Sequence, residues 1–234
     1  MGHNKNEFQP NLASVSPLLF DIQTRFLQIK TLAETKNLNK SNIRDIERLS
    51  KHALASLDYA LFAISNLQSE LPLTSVSAAA AAQDVAQDLW HIAKTYDVDL
   101  QIDISKKLDP VFTNEAALKG TLHGLASSLI TARNPQESSR QKVVLAVQQT
   151  APKTQRIGVF SPDIKMSLSG VRQANKFALN SRMSAPMDMS SSGVGLVVSG
   201  HLINLMQSKL QAFAHKGQPG LGFYVPMSAQ LSLL

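Results

Sequence analysis

The stretch SSGVGLVVSGHLINLM, Ser191 to Met206, sets two glycines two apart directly before an apolar run. The run is long enough for about four helical turns. A phosphate held at a helix N-terminus needs close backbone approach, which residues without a Cβ permit. The exposed N–H groups and the positive end of the helix dipole then supply the attraction. Gly193 and Gly195 are therefore candidates for an anion cradle. A plainer use is relief of crowding where a loop turns into a packed helix. His91, His123, His201 and His215 are scattered through the chain without metal-ligand spacing, and read as surface or internally satisfied histidines. No cysteine is present, which excludes disulfides, iron–sulfur clusters and thiolate zinc sites and agrees with a reducing compartment. No metal and no cofactor is expected.

The elements that must hold these residues can be read from apolar spacing. After a polar tail ending near Pro10, Leu19, Ile22, Phe26, Ile29 and Ala33 recur at alternating steps of three and four, the period of a helix. The polar NLNKS at Asn37–Ser41 is a turn, and Ser41 or Asn42 can cap a second helix. From Ile43 the stripe Ile43, Ile46, Ser50, Ala53, Leu57, Ala60, Ile64 and Leu67 keeps a seven-residue repeat, widened by Leu54 and Leu61. Two helices joined by a short turn form an antiparallel hairpin with much of its apolar stripe in water. A second copy would complete a four-helix bundle, and packing on the chain's own C-terminal half is the alternative.

Pro72 and the following LTSVS mark a boundary. Beyond it AAAAAQDVAQDLWHIAKTYD reads as a helix, DLQIDIS as a strand, DPVFTN as a short extended piece and EAALKGTLHGLASSLITAR as a helix. KVVLAVQQT and RIGVFSP read as strands, and a helix is expected within Gly170–Leu179. The glycine-opened helix, the strand LQAFAH, the turn KGQPG and the strand LGFYVPM close the chain. Helices segregated from a mostly antiparallel sheet make this half α+β. The expected domains are a flexible tail at 1–10, a dimerisation hairpin at 11–72 and a second domain at 73–234.

With 44% hydrophobic and 17% charged residues the chain of 234 residues carries enough apolar material for a packed core. No apolar run reaches the roughly 18 residues of a membrane span, and the N-terminus lacks an apolar signal core, so a cytoplasmic protein without a membrane partner is expected. The charge of +6 is concentrated where Arg133, Arg140, Lys142, Lys153, Arg156, Lys165, Arg172, Lys176 and Arg182 face only Glu137 and Asp163. Phe160 and Phe177 are the only rings in that segment, so it reads as solvated surface, with nucleic-acid binding across 133–182 as the alternative.

This order of elements resembles the sensor histidine kinase core, a dimerisation and phosphoacceptor hairpin followed by an ATP-binding domain of the Bergerat (GHKL) type. The likeness spans about residues 11 to 227. Gly193, Gly195 and Leu196 match the family's GxGLGL helix; Gly220, Gly222, Phe223 or Tyr224, and Pro226 fit its closing strand. The resemblance implies a Bergerat-type α/β sandwich with a mostly antiparallel mixed sheet.

The departures fall on chemistry. The family's phosphoacceptor histidine lies five residues before a proline, beside an acidic base. Here Ser16-Pro17-Leu18 match the end of that motif while Leu12 stands at the histidine position and Ala13 at the acidic one. An imidazole nitrogen can take a phosphoryl group and a leucine cannot. His52 is the only other histidine of the hairpin and reads as a surface residue, with phosphoacceptor as the alternative. The family's two asparagines, one a magnesium ligand, correspond to Gly124 and Ser128, and a serine hydroxyl is the poorer ligand. Its Asp-x-Gly-x-Gly motif corresponds to Ser161, Asp163 and Lys165. Losing a charge-assisted adenine contact and a metal ligand costs about 1.5–3 kcal/mol each. The remnant nucleotide site would be Gly193, Gly195, Leu196, Ser128, Ser161 and Asp163.

The resemblance therefore implies a catalytically degenerate, kinase-like signalling protein, a homodimer through residues 11–72 that docks a response-regulator receiver domain or another histidine kinase. An ATP-independent phosphotransferase using His52 and a nucleic-acid-binding regulator are the alternatives.

Overall fold

The computed structural model describes residues 26–27, 29–34, 40–65, 71–131, 141–162 and 193–228. Residues 26–27 and 29–33 are helical. They precede α1 (Lys40–Ser65), β1 (Thr74–Val76), α2 (Ala78–Thr95), β2 (Val98–Ile104), β3 (Val111–Thr113) and α3 (Glu115–Thr131). After these come β4 (Gln141–Ala151), β5 (Thr154–Phe160), α4 (Gly193–Leu205), β6 (Gln211–His215) and β7 (Gln218–Pro226). The tail at 1–10, Leu12 and Ala13, and the helix expected within 170–179 lie outside the described residues.

Five strands form one mixed sheet in the order β2-β4-β5-β7-β6. Only β2 and β4 are parallel, and α3 lies within the crossover that a parallel pair requires. The other three pairings are antiparallel, so the α+β class with a mostly antiparallel sheet holds. Alternation along the strands sorts the side chains. Val143, Leu145, Val147, Ile157, Val159, Leu221, Phe223 and Val225 face a core shared with the helices. Val144, Ala146 and Phe160 point to the opposite face, where Phe213 joins them.

Capping fixes where two helices begin. The Ser77 hydroxyl accepts the Ala80 N–H at 3.2 Å, and Asn114 Oδ1 accepts the Ala117 N–H at 3.0 Å. α4 is apolar nearly all round, as a helix must be when neighbours enclose it, and its Leu202 and Ile203 are fully buried.

Three expectations need correction. Thr74–Val76, read as part of a boundary, is β1, which pairs antiparallel with β3. In KGQPG only Lys216 and Gly217 turn, with φ of 48° and 79°, both positive as a tight two-residue hairpin loop demands. Gln218, Pro219 and Gly220 already belong to β7. Finally, α1 is not a free seam. Ala53 and Ala63 are buried within this chain, and Phe62 packs against its core. Ile43, Leu54 and Leu61 remain more than half exposed on the same helix.

The face of the sheet turned away from the helices carries its own tie. The Phe160 ring lies against Gly220, where an added Cβ would come within 2.3 Å of Phe160 Cδ1. The His215 ring stacks on Phe160 at 5.0 Å between centroids, and its Nε2 meets Asp103 Oδ2 at 2.8 Å. Lys216 Nζ donates to the same carboxylate oxygen. β2 and β6 are the two edge strands, so Asp103 joins the sheet's edges across that face.

The hydrogen bonds from Lys216 and then His215 hold the Asp103 carboxyl below its usual range. A carboxylate with a lowered pKa stabilises the fold fully above its unfolded value of about 3.9 and loses that contribution as pH falls through the folded value. Asp103→Asn is expected to cost about 1 kcal/mol at pH 7, discounted because Lys216 is largely exposed. Urea unfolding should show the deficit at pH 7 and a smaller one at pH 3.

Candidate functional site

The residues that resemble a nucleotide site converge where α3 and α4 cross. Gly120 and Gly124 on α3, and Gly195 and Ser199 on α4, are each four apart and so share a helix face. A Cβ on Gly124 would lie 2.4 Å from Ser199 Oγ and 2.8 Å from the Gly195 carbonyl oxygen. A Cβ on Gly195 would lie 2.1 Å from Ser128 Oγ and 2.3 Å from the Gly124 carbonyl oxygen. The two backbones thus touch through glycine, and the gap between them does not admit a methyl group.

This geometry gives Gly195 a packing role. It lets one helix lie directly on another, a relief of crowding that extends to the partner helix. Gly193 is the first residue of α4, and Leu196 packs, partly buried, on the main core. Ser199 Oγ donates to the Thr121 carbonyl at 3.0 Å, pinning α4 to α3. Ser128 and Thr121 are both buried, and their hydroxyl oxygens have no hydrogen-bond partner, a local cost of about 1–3 kcal/mol each. Ser128 therefore sits against Gly195 in the helix contact.

Ser161 directly follows β5. It is fully buried, its N–H donates to the Pro219 carbonyl at 3.0 Å, and Gln141 Nε2 approaches its hydroxyl at 3.5 Å. Asp163 and Lys165 lie outside the described residues. Five of the six expected site residues are described: Gly195 and Ser128 meet at the α3–α4 crossing, Gly193 opens α4, Leu196 packs on the main core, and Ser161 is buried just after β5.

His52 is not at the surface. It is buried at 5% exposure on α1, and its ring stacks on that of buried His123 of α3 with centroids 4.9 Å apart. Tyr59 also packs on His123, at 5.2 Å between centroids, and Gly120 makes room for it. Of the basic segment, Arg156 lies partly buried on the outer face of the sheet: it donates to Gln148 Oε1 at 2.6 Å and lies 5.5 Å from the Phe213 ring centroid. Arg133, Arg140 and the basic residues beyond 162 lie outside the described residues. Among the described residues no group of three or more His, Cys, Asp or Glu could hold a metal ion, and no helix is long and apolar enough to cross a membrane.

Thr121, Ser199 and His123 were not singled out as site residues by sequence reading. The signal for the first two was present in the four-residue spacing of small residues in GTLHG and GLVVS. A histidine pair brought together from two distant helices leaves no such trace.

No family model matches the chain, and no curated protein does. Solved structures do. The catalytic domain of histidine kinase ThkA aligns at a TM-score of 0.53 and 12% identity, over 67% of this chain and 97% of that domain. Histidine kinase AdeS of Acinetobacter baumannii aligns at 0.52 and 12%, over 91% of this chain and 95% of its own. Full-length ShkA, solved in complex with AMPPNP, aligns at 0.54 and 16%, over 94% of this chain and 46% of ShkA. ThkA in complex with the response regulator protein TrrA aligns at 0.53 and 11%, over 92% of this chain and 61% of that one. The fold is that of the histidine kinase ATP-binding domain.

Proposed function

Starting from a histidine kinase fold, we propose that this chain is a catalytically degenerate signalling protein, a dimeric interaction module that docks a response-regulator receiver domain or another histidine kinase. The observation that carries the reading is the α3–α4 contact. Where the family resemblance puts two asparagines, one of them a magnesium ligand, this chain has Gly124, beside which the Gly195 backbone fills the space, and Ser128, whose hydroxyl lies against Gly195. The absence of a histidine at position 12 points the same way. A receiver domain as partner is supported by the likeness to ThkA, which was solved with the response regulator TrrA. Dimerisation through 11–72 draws on the exposed apolar side chains Phe26, Leu27, Ile43, Leu54 and Leu61, which a second copy would cover. A cytoplasmic setting and the boundaries at residues 10 and 72 belong to the same proposal.

A ligand at 100 times its dissociation constant raises stability by about 2.7 kcal/mol. Millimolar ATP with magnesium is therefore expected to leave the unfolding midpoint unmoved and to yield no phosphorylated protein, measured by thermal unfolding and by transfer of labelled phosphate. A shift of several degrees would overturn the reading. The burial of His52 against His123 counts against the phosphotransferase alternative, which needs that imidazole at the surface. The pairing of Arg156 with Gln148 takes one cation out of the basic segment and counts against the nucleic-acid alternative.

A further inference from the structure

One end of the outer sheet face gathers positive charge around aromatic rings. Arg156 of β5 and Tyr224 of β7 are register partners, and Tyr224 meets Phe213 of β6 edge to face at 5.1 Å between centroids. Arg156 is held by Gln148 Oε1 and by the Phe213 ring, while Tyr224 is 37% exposed. Ser208, next to Lys209, donates from its hydroxyl to the Tyr224 carbonyl at 2.7 Å, which brings Lys209 to the same row. Lys153, in the turn between β4 and β5, accepts the Met227 N–H at its carbonyl. The loop that carries Lys106 and Lys107 is tied to this end as well. Gln155 Nε2 donates to the Asp109 carbonyl, and the Ser228 N–H donates to the Pro110 carbonyl.

The segments 105–110, 151–156 and 207–213 carry Lys106, Lys107, Lys153, Arg156 and Lys209 against a single carboxylate, Asp109. All four lysines are exposed. Among the described residues the ion pairs fall on Lys30, Arg48, Lys51, Lys119, His215 and Lys216, so these four are unpaired.

We propose that this end of the outer sheet face is a docking surface for an acidic protein segment, with Tyr224 and Arg156 at its centre and the four lysines as its rim. The inference rests on the docking role proposed above, and it names where and by what chemistry a partner is held.

The physical reason is complementarity of charge around a rigid centre. Unpaired like charges on one surface repel each other, and an anionic partner relieves that repulsion while it is steered into place. Tyrosine and arginine are the side chains that most often dominate binding at interface centres, whereas lysine belongs to the rim. Arg156 is already ordered by Gln148 and Phe213, so little freedom is lost when it meets a partner. A nucleic-acid strand would need successive bases stacked on ring faces, and here Tyr224 is exposed while Phe213 is partly buried. One exposed ring suits a single anchor.

Nitrogen-15 spectra of the full chain, titrated with a peptide of glutamates flanking a central leucine, test the surface. At about 20 mM salt the amides of 106–107, 153, 209 and 224 are expected to shift, and binding should weaken at least tenfold at about 500 mM salt. Tyr224→Ala is expected to weaken binding at least fivefold, and Lys153→Glu with Lys209→Glu at least tenfold, with the remaining amides unmoved. No shift at these amides, or shifts centred on α1, would overturn the proposal. So would a loss on lysine reversal with none on Tyr224→Ala, which would mean attraction without a docking centre. Tighter binding of a thymidine oligonucleotide at the same salt would overturn the choice of partner. A chain that binds ATP and still shows the expected shifts would overturn the catalytically degenerate reading alone and support this surface.

Discussion

Gly195→Val is expected to lower the unfolding free energy by about 3 kcal/mol, toward the upper end of what overpacking costs. The first added carbon would lie 2.1 Å from Ser128 Oγ and 2.3 Å from the Gly124 carbonyl oxygen. A serine can rotate away, but a backbone carbonyl inside α3 cannot, so the helices must separate. For a chain of this size the midpoint of thermal unfolding should fall by about 6–12 °C. Adding Ser128→Ala removes one of the two obstructions and should recover only part of the loss. Ser128→Ala alone should be close to neutral, since it deletes a buried hydroxyl that has no partner. Gly124→Asn, which would put back an amide of the type the resemblance leads one to expect, should fail for the same reason. Its Cβ would lie 2.4 Å from Ser199 Oγ, so loss of stability is expected and gain of magnesium affinity is not. If Gly195→Val melts with the wild type, the two helices are not in contact and the slot between them is open.

Phe160→Ala should be costlier still, about 3–5 kcal/mol, out of a total that is about 5–15 kcal/mol for most domains. Phe160 is 1% exposed, anchors the cluster on the outer face of the sheet with Val144, Ala146 and Phe213, and supports the His215 ring. Its removal leaves a cavity above Gly220, which has no side chain with which to fill it. Urea unfolding should show the loss. Proton spectra should also show His215 freed from ring contact, a readout that a general loss of packing elsewhere would not give. A cost below about 1 kcal/mol would mean that the outer face is not a packed layer.

Where the fold was legible in the sequence, periodicity was strong. KVVLAVQQT and RIGVFSP alternate between two faces, and the structure puts one set in the main core and the other behind the sheet. β1 was not legible because three residues, of which only Val76 is buried, carry too little pattern to separate a strand from a loop. Gln218, Pro219 and Gly220 read as turn because proline and glycine usually punctuate. Here the Phe160 ring occupies the space that a side chain at 220 would need, and the strand continues. The site was legible in part: the helices and Gly195 were found, but their mutual distance was not, because a glycine needed for a bound phosphate and one needed for a touching helix look the same in one dimension. His52 was misplaced for a related reason. A histidine on an amphipathic helix says nothing of what faces it, and His123 comes from a helix more than 60 residues later.

The glycine contact between α3 and α4 also bears on what the protein could become. Placing an amide at position 124 by one substitution would meet a steric wall formed by Ser199 and the Gly195 backbone, so any such step toward metal chemistry is a step down in stability of the fold. Such a contact acts as a ratchet: several positions on two helices would have to change together before any one of them became useful.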